Sequence, residues 1–317
     1  RYQVNYKKLP QQIILGSETA STVSSRGVYK FPVERKAMAV YEDHQSSSYD
    51  VEHCNWSNLP EDDFIQHEDL PYCIGEFVWT GFDYIGEPTP YGWPARSSYF
   101  GIVDLAGFPK DVYYLYQSEW TDKQVLHLFP HWNWTPGQEI DMWCYYNQAD
   151  EVELFVNGKS QGVKRKDLDN LHVAWRVKFE PGTVKVIARE SGKVVAEKEI
   201  CTAGKPAEIR LTPDRSILTA DGKDLCFVTV EVLDEEGNLC PNADNLVNFT
   251  VRGNGFIAGV DNGNPVSLER FKDKKRKAFY GKCLVVIQND GKPGKAKLTA
   301  TSEGLRQAVL KISAEEL

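Results

Sequence analysis

A multidomain chain, with an α/β segment followed by two antiparallel β-sandwich domains of immunoglobulin-like pattern, is the fold class this sequence predicts. Three observations carry it. Short apolar runs mix with helix-like segments up to about residue 122. Beyond Trp120 the hydrophobic periodicity changes to two, the spacing of half-buried strands. Gly204-Lys205-Pro206 then interrupts the strands as a short linker. The 317 residues are enough for two or three cores, since domains typically run to about 100–150 residues. The expected divisions are 1–122, 123–203 and 204–317.

Ile13-Ile14-Leu15, ending at Gly16, has the length and composition of a buried parallel strand. Val33, Ala37, Val40 and Tyr41 recur at helical spacing behind Pro32, where a missing N–H costs little, and predict a helix. Phe77-Val78-Trp79 reads as a second strand entering a Gly- and Pro-rich loop from Gly81 to Pro94. Pro109 opens another helix, with Val112, Leu115 and Tyr116 on one face. In the second region Val152, Leu154 and Val156 alternate and stop at Asn157-Gly158, a hairpin dipeptide. Val173 to Phe179 alternate likewise, and a turn at Glu180 to Thr183 leads to Val184 and Val186. In the third, Cys226 to Val232 alternate up to Asp234-Glu235-Glu236-Gly237. Phe249-Val251, Leu284-Ile287, Lys297-Ala300 and Ala308-Ile312 supply further strands, the number and spacing of an immunoglobulin-like sandwich.

Composition narrows the function. Hydrophobic residues at 41% and charged residues at 26% describe a soluble globular protein rather than a disordered one. A formal charge of −8 argues against nucleic acid as the main partner, because binding phosphates requires a basic face. The one basic run, Lys272 to Lys277, reads as a solvated loop. No stretch reaches the roughly 18–20 apolar residues of a membrane span. Seven cysteines at irregular spacing, without a CxxC, support neither a disulfide framework nor a zinc site. No cofactor is expected. The chain begins at Arg1 close to a strand-like segment, and the expectation is that residues upstream are missing.

In α/β barrels functional groups project from the C-terminal ends of strands. Glu18 and Trp79 occupy such positions. Glu18 is then either a reacting carboxylate or an exposed loop carboxylate; Trp79 either a platform for the C–H face of a sugar ring or core packing. Asp83, Tyr84 and Glu87, on the loop after Trp79, are candidates for hydrogen bonds to sugar hydroxyls, although a loop explains them equally. His127 and His131 stand four apart around Leu128-Phe129-Pro130, a strand or loop, so the spacing does not put them on one face and no metal site is expected. Trp132 and Trp134 suit a buried strand face better than a sugar groove.

Two segments bear a family resemblance. Gly16-Ser17-Glu18-Thr19-Ala20-Ser21, followed by Ser25-Arg26-Gly27-Val28-Tyr29, resembles the seventh-strand nucleophile segment of glycoside hydrolase family 2. Phe77 to Pro90 resembles the eighth strand and loop of its β-galactosidase-like members. Ser98 to Asp104, Lys110 to Tyr116, His131 to Trp134 and Leu154 to Ser160 continue the match, which becomes mostly architectural after Gly204. The resemblance implies that residues 1–122 are a partial (β/α)8 barrel, its last strands and helices. It implies a retaining β-glycosidase with Glu18 as nucleophile, acting on an oligosaccharide or glycoside in the periplasm or at the cell surface. The family's acid/base follows an asparagine, and no Asn-Glu pair occurs here, so the acid/base is expected upstream and the chain alone is expected to be inactive. Glucuronide-specific members carry Asn-x-Lys where this sequence has Ser98-Tyr99-Phe100; without that cation a neutral sugar, galactose first, is implied.

A second reading, a carbohydrate-binding or adhesive module of β-sandwiches, accounts for residues 123–317 equally well. It has no use for a carboxylate and a tryptophan at adjacent strand ends. Two parallel strands cannot close a barrel, so residues 1–120 are expected to contact the missing N-terminal portion, a second copy, or both.

Overall fold

The computed structural model describes residues 2–68 and 70–316. They form two compact units, Arg1–Cys201 and Thr202–Leu317. The boundary expected near residue 122 falls inside the first unit.

The first unit runs α1 (Tyr2–Lys8), β1 (Ile14–Thr19), β2 (Lys36–Ala37), β3 (Glu52–His53), α2 (Pro60–Glu68), β4 (Cys73–Val78) and α3 (Asp111–Trp120). Strands β5 (Leu126–Phe129), β6 (Glu139–Tyr146), β7 (Glu151–Val156), β8 (Lys159–Lys164), β9 (His172–Lys178), β10 (Thr183–Glu190) and β11 (Lys193–Cys201) follow. β1 and β4 pair in parallel. The later strands make two antiparallel sheets, β11-β10-β7-β8 and β5-β6-β9, around a core of Ile140, Met142, Leu154, Trp175 and Val186. Strand β6 serves two cores. Ile140, Met142 and Cys144 enter the sandwich, while Trp143 and Tyr145 pack with Tyr49, Leu115 and Tyr116 from the α/β segment. The hairpin at Asn157-Gly158 forms as expected, both residues at positive φ (49° and 77°), the geometry of a type I′ turn.

Three sequence expectations are corrected. The first strand runs to Thr19 instead of stopping at Gly16, and Ile13 and Leu15 are exposed rather than buried. No helix forms around Val33–Tyr41. The Lys36 N–H bonds to the Val51 carbonyl and the Met38 N–H to that of His53, Met38 has φ 53°, and Val40 is exposed. Backbone pairing with a distant segment wins: Val33 packs against the core of the α/β segment, but Ala37 and Val40 of the same stripe stay exposed, too little burial to hold a helix. The helix of this region is instead α2, with Pro60 at its start and Glu61, Asp62 and Asp63 in its first turn, all favourable there.

The second unit comprises β12 (Glu208–Pro213), β13 (Ile217–Thr219), β14 (Leu225–Leu233), β15 (Leu246–Gly253), β16 (Phe256–Asp261), β17 (Lys275–Lys277), β18 (Lys282–Gln288), β19 (Gly294–Thr301) and β20 (Ala308–Glu315). They form a four-stranded sheet, β12-β14-β18-β16, and a five-stranded sheet, β13-β20-β19-β15-β17. Val228, Val230, Phe249, Val285 and Leu298 fill the space between them. The 272–277 run is not uniformly solvated: Arg276 is buried and bonds Asp261 at 2.8 Å. All seven cysteines are free thiols.

Candidate active site

β1 and β4 are held in register by the pairs Ile14 with Cys73, Gly16 with Glu76 and Thr19 with Val78. Past the last pair, the Trp79 N–H donates to the Thr19 carbonyl at 2.9 Å. Glu18 and Trp79 therefore stand at the C-terminal ends of neighbouring parallel strands, the edge from which side chains in such sheets meet ligands. Glu18 is exposed and lines a depression of about 630 Å³ together with Ser17, Ser21, Asn55 and Trp56.

Asn55 and Trp56 were not singled out from the sequence. They arrive because the Val23 N–H bonds to the Glu52 carbonyl (3.0 Å) and the Cys54 N–H to the Ser21 carbonyl (3.1 Å), folding the 52–56 segment against the turn after Glu18. Trp56 is 53% exposed, an aromatic left open beside a carboxylate. Its one sequence signal was a tryptophan in a polar stretch.

The loop after Trp79 is pinned by residues 98–103. The Thr80 N–H donates to the Phe100 carbonyl, Ile102 N–H to Thr80, and Asp83 N–H to Val103. Gly101 is required at this crossing, because a Cβ there would overlap the Asp83 nitrogen and the Val103 carbonyl. Two buried ion pairs complete the frame. Lys110 Nζ lies 2.7 Å from Asp83 and also donates to the carbonyls of Ser24 (2.8 Å) and Tyr99 (3.0 Å). Arg26 bonds Asp104 at 2.6 Å, its guanidinium over the Phe108 ring. Ser24 and Arg26 belong to the segment that follows Glu18, so both pairs tie the loop after β1 to the chain after β4.

The residues expected to touch sugar separate into two groups. Trp79 is 37% exposed, edge-on to the Tyr84 ring at 6.0 Å. The Tyr84 hydroxyl donates to Glu87 Oε2 at 2.5 Å, and burial, then that bond, pushes the phenol up to about 12. Glu87 itself is exposed. Asp83 follows the loop alternative of the two the sequence left open, not sugar contact. Its carboxylate is almost inaccessible and accepts from Lys110, Ser98 and the Gly101 N–H, so it anchors the loop instead of facing solvent. Burial raises it to about 6 even against the Lys110 charge. Ser98, Tyr99 and Phe100 are fully buried, and no cation occupies their positions.

His127 bonds Asp111 (2.7 Å) and stacks on Tyr114, whereas His131 stacks on Trp134. Trp132 is wholly buried and donates to the Glu180 carbonyl. Among the described residues no three His, Cys, Asp or Glu side chains gather as metal ligands would.

The family described as "Glycoside hydrolase family 2 C-terminal domain 5" matches residues 209–311, and a domain of unknown function matches residues 137–196. "Beta-galactosidase BoGH2A" of Bacteroides ovatus is 80% identical over 97% of this chain and 37% of its own length. A "Putative beta-glucuronidase" of Formosa agariphila is 36% identical over 74% of this chain and 23% of its own length. The chain thus spans about a third or less of these curated relatives. A solved beta-glycosidase from Bacteroides vulgatus superposes with a TM-score of 0.90 at 30% identity, over 99% of this chain and 43% of that one.

Proposed function

Because the chain belongs to glycoside hydrolase family 2, we propose that it carries the nucleophile half of a retaining β-glycosidase site, with Glu18 attacking the anomeric carbon. The observation that carries the reading is the exposed Glu18 one residue before, and Trp79 one residue after, the Thr19–Val78 pair that closes two parallel strands. Residues 1–122 are then the last strands and helices of a (β/α)8 barrel, with 123–203 and 204–317 as accessory sandwiches. Exposed Ile13, Leu15, Ile74 and Phe77 are apolar groups of the parallel pair that earlier barrel strands would cover.

In a retaining displacement the carboxylate bonds to the anomeric carbon as the aglycone oxygen leaves with a proton from a second carboxylic acid. Water then releases the sugar with that residue acting as base. The two carboxyl groups stand about 5–5.5 Å apart in such enzymes. The partner acid lies in residues beyond this chain, and the chain alone is inactive. Trp79 offers its ring to the C–H face of the sugar, and Tyr84, oriented by Glu87, offers an oxygen to a hydroxyl; Trp56, which lines the depression with Glu18, offers a further aromatic surface.

A neutral sugar, galactose first, fits best. The buried Ser98-Tyr99-Phe100 segment offers no cation for a uronate, and one relative is named a β-galactosidase. Export to the periplasm or cell surface accompanies this reading. No helix in the described residues is long and apolar enough to cross a membrane.

The test is intact mass spectrometry of the full-length parent after treatment with a 2-deoxy-2-fluoro-β-galactoside bearing a good leaving group. We expect a covalent adduct on Glu18 that Glu18→Gln abolishes, with kcat reduced by roughly 10⁴-fold in that variant. An adduct on another residue would refute the assignment, and labelling only by the fluoro-glucuronide would refute the neutral sugar.

A further inference from the structure

The outward face of the five-stranded sheet in the second unit has a charge pattern that the glycosidase reading leaves unused. In β15, β19 and β20 the residues Val247, Phe249, Leu298, Ala300 and Ile312 point inward and are buried, so the residues between them face out. Arg252 stands opposite Lys297, and Lys297 opposite Lys311. Three cations thus line up across three strands about 4.8 Å apart. Lys295 adjoins that row on β19, and Lys275 and Lys277 flank the other end on β17.

None of these six side chains forms an ion pair with any described residue. The one outward acid on the five strands, Glu315, pairs across to Thr219 at the far edge. Like charges placed directly opposite each other in a sheet destabilise it. Lysines on an edge strand prevent unwanted pairing, which explains Lys275 and Lys277. It extends to Arg252 and Lys311, which lie past the ends of β17 and β13, but not to Lys297 on the central β19, which is flanked by both. The four-stranded sheet of the same unit shows the ordinary solution: Glu231 lies between Arg210 (2.7 Å) and Lys282 (3.3 Å).

We propose that this face binds a linear anionic polysaccharide, with carboxylate or sulfate groups on the Arg252–Lys297–Lys311 row and again at Lys275 and Lys277. Between the row and Lys275, roughly 13 Å apart along the strands, lie Thr250 and Thr299, with Asn248 and Thr301 beside Lys275. That polar strip suits sugar hydroxyls. It does not suit a lipid bilayer, since the apolar groups on the face, Leu246, Val309 and Ile217, stand on separate rows and make no patch to insert.

Calorimetric titration of the full chain with polygalacturonate, beside neutral galactan and phosphatidylglycerol vesicles, tests this at neutral pH and low salt. Polygalacturonate should bind, and R252E/K297E/K311E should weaken it by at least about 10-fold, whereas the matched reversal K159E/K193E/K198E in the first unit changes it by less than about 2-fold. K297E alone turns two repulsive pairs into attractive ones, so it keeps the fold and should still weaken binding. Equal losses in both triple variants would reduce the effect to net charge and overturn the site. Binding to the vesicles but not to polygalacturonate would give the face to a lipid surface. A dimer that the R252E/K297E/K311E variant abolishes, without polysaccharide affinity, would give it to a second copy.

Discussion

Lys110 shows how a residue far from the proposed chemistry governs the site. It is buried, within 2.7 Å of Asp83, and reaches carbonyls on two other segments. Breaking a buried pair from one side leaves an uncompensated charge, at a cost of about 3–5 kcal/mol. Lys110→Met should therefore lower the melting temperature of the first unit by many degrees, and Asp83→Leu added to it should restore most of the loss, as read by calorimetry. If the single variant melts like the parent, the pair is not what pins the loop. The strand-end positions of Glu18 and Trp79 were readable because a strand end followed by a polar or Gly- and Pro-rich loop is a local signal. Lys110 and Arg26 were not: each is defined by a carboxylate a long way along the chain, Arg26 by Asp104 at 78 residues' separation. For Asp83 the sequence left sugar contact and loop structure equally open for the same reason, as a loop carboxylate looks alike in sequence whether it faces water or a buried lysine.

At the scale of elements, alternation was the dependable signal where two sheets cover each other. Strands β7, β9, β10 and β14 follow it residue by residue, and turn chemistry at Asn157-Gly158 fixed one hairpin. Helical spacing at Val33–Tyr41 misled because periodicity states which side chains share a face without supplying a partner for it. The acidic first turn of α2 was a legible start that a nine-residue helix with a weak stripe did not reinforce. The Arg252–Lys297–Lys311 row carries an element-scale prediction of its own. Replacing Lys297 by Glu puts opposite charges on both sides, at about 0.2–1 kcal/mol for each cross-strand pair. The melting temperature of the second unit should rise by a few degrees; a fall would mean that the row is not under repulsion in solution.

For the whole molecule, the second unit owns a core of its own between its two sheets. A peptide of residues 202–317 should fold by itself, giving dispersed amide resonances and one cooperative thermal transition. Collapse into an aggregating or molten species would contradict that. The first unit differs: its parallel pair leaves Ile13, Leu15, Ile74 and Phe77 in water, whereas parallel sheets are ordinarily buried on both faces.

By itself the sequence determined the order of an α/β segment followed by sandwich sheets, the strands β7, β9, β10, β14, β15, β18, β19 and β20, and the strand-end positions of Glu18 and Trp79, because period, turn residues and strand ends are local properties of a chain. Tertiary structure alone decided that Trp56 joins Glu18, that Asp83 is an anchor, that the 33–41 stripe is not a helix, and that six cations share one sheet face. Each of these depends on register and on contacts between segments tens of residues apart, where a side chain's role is set by its neighbours in space.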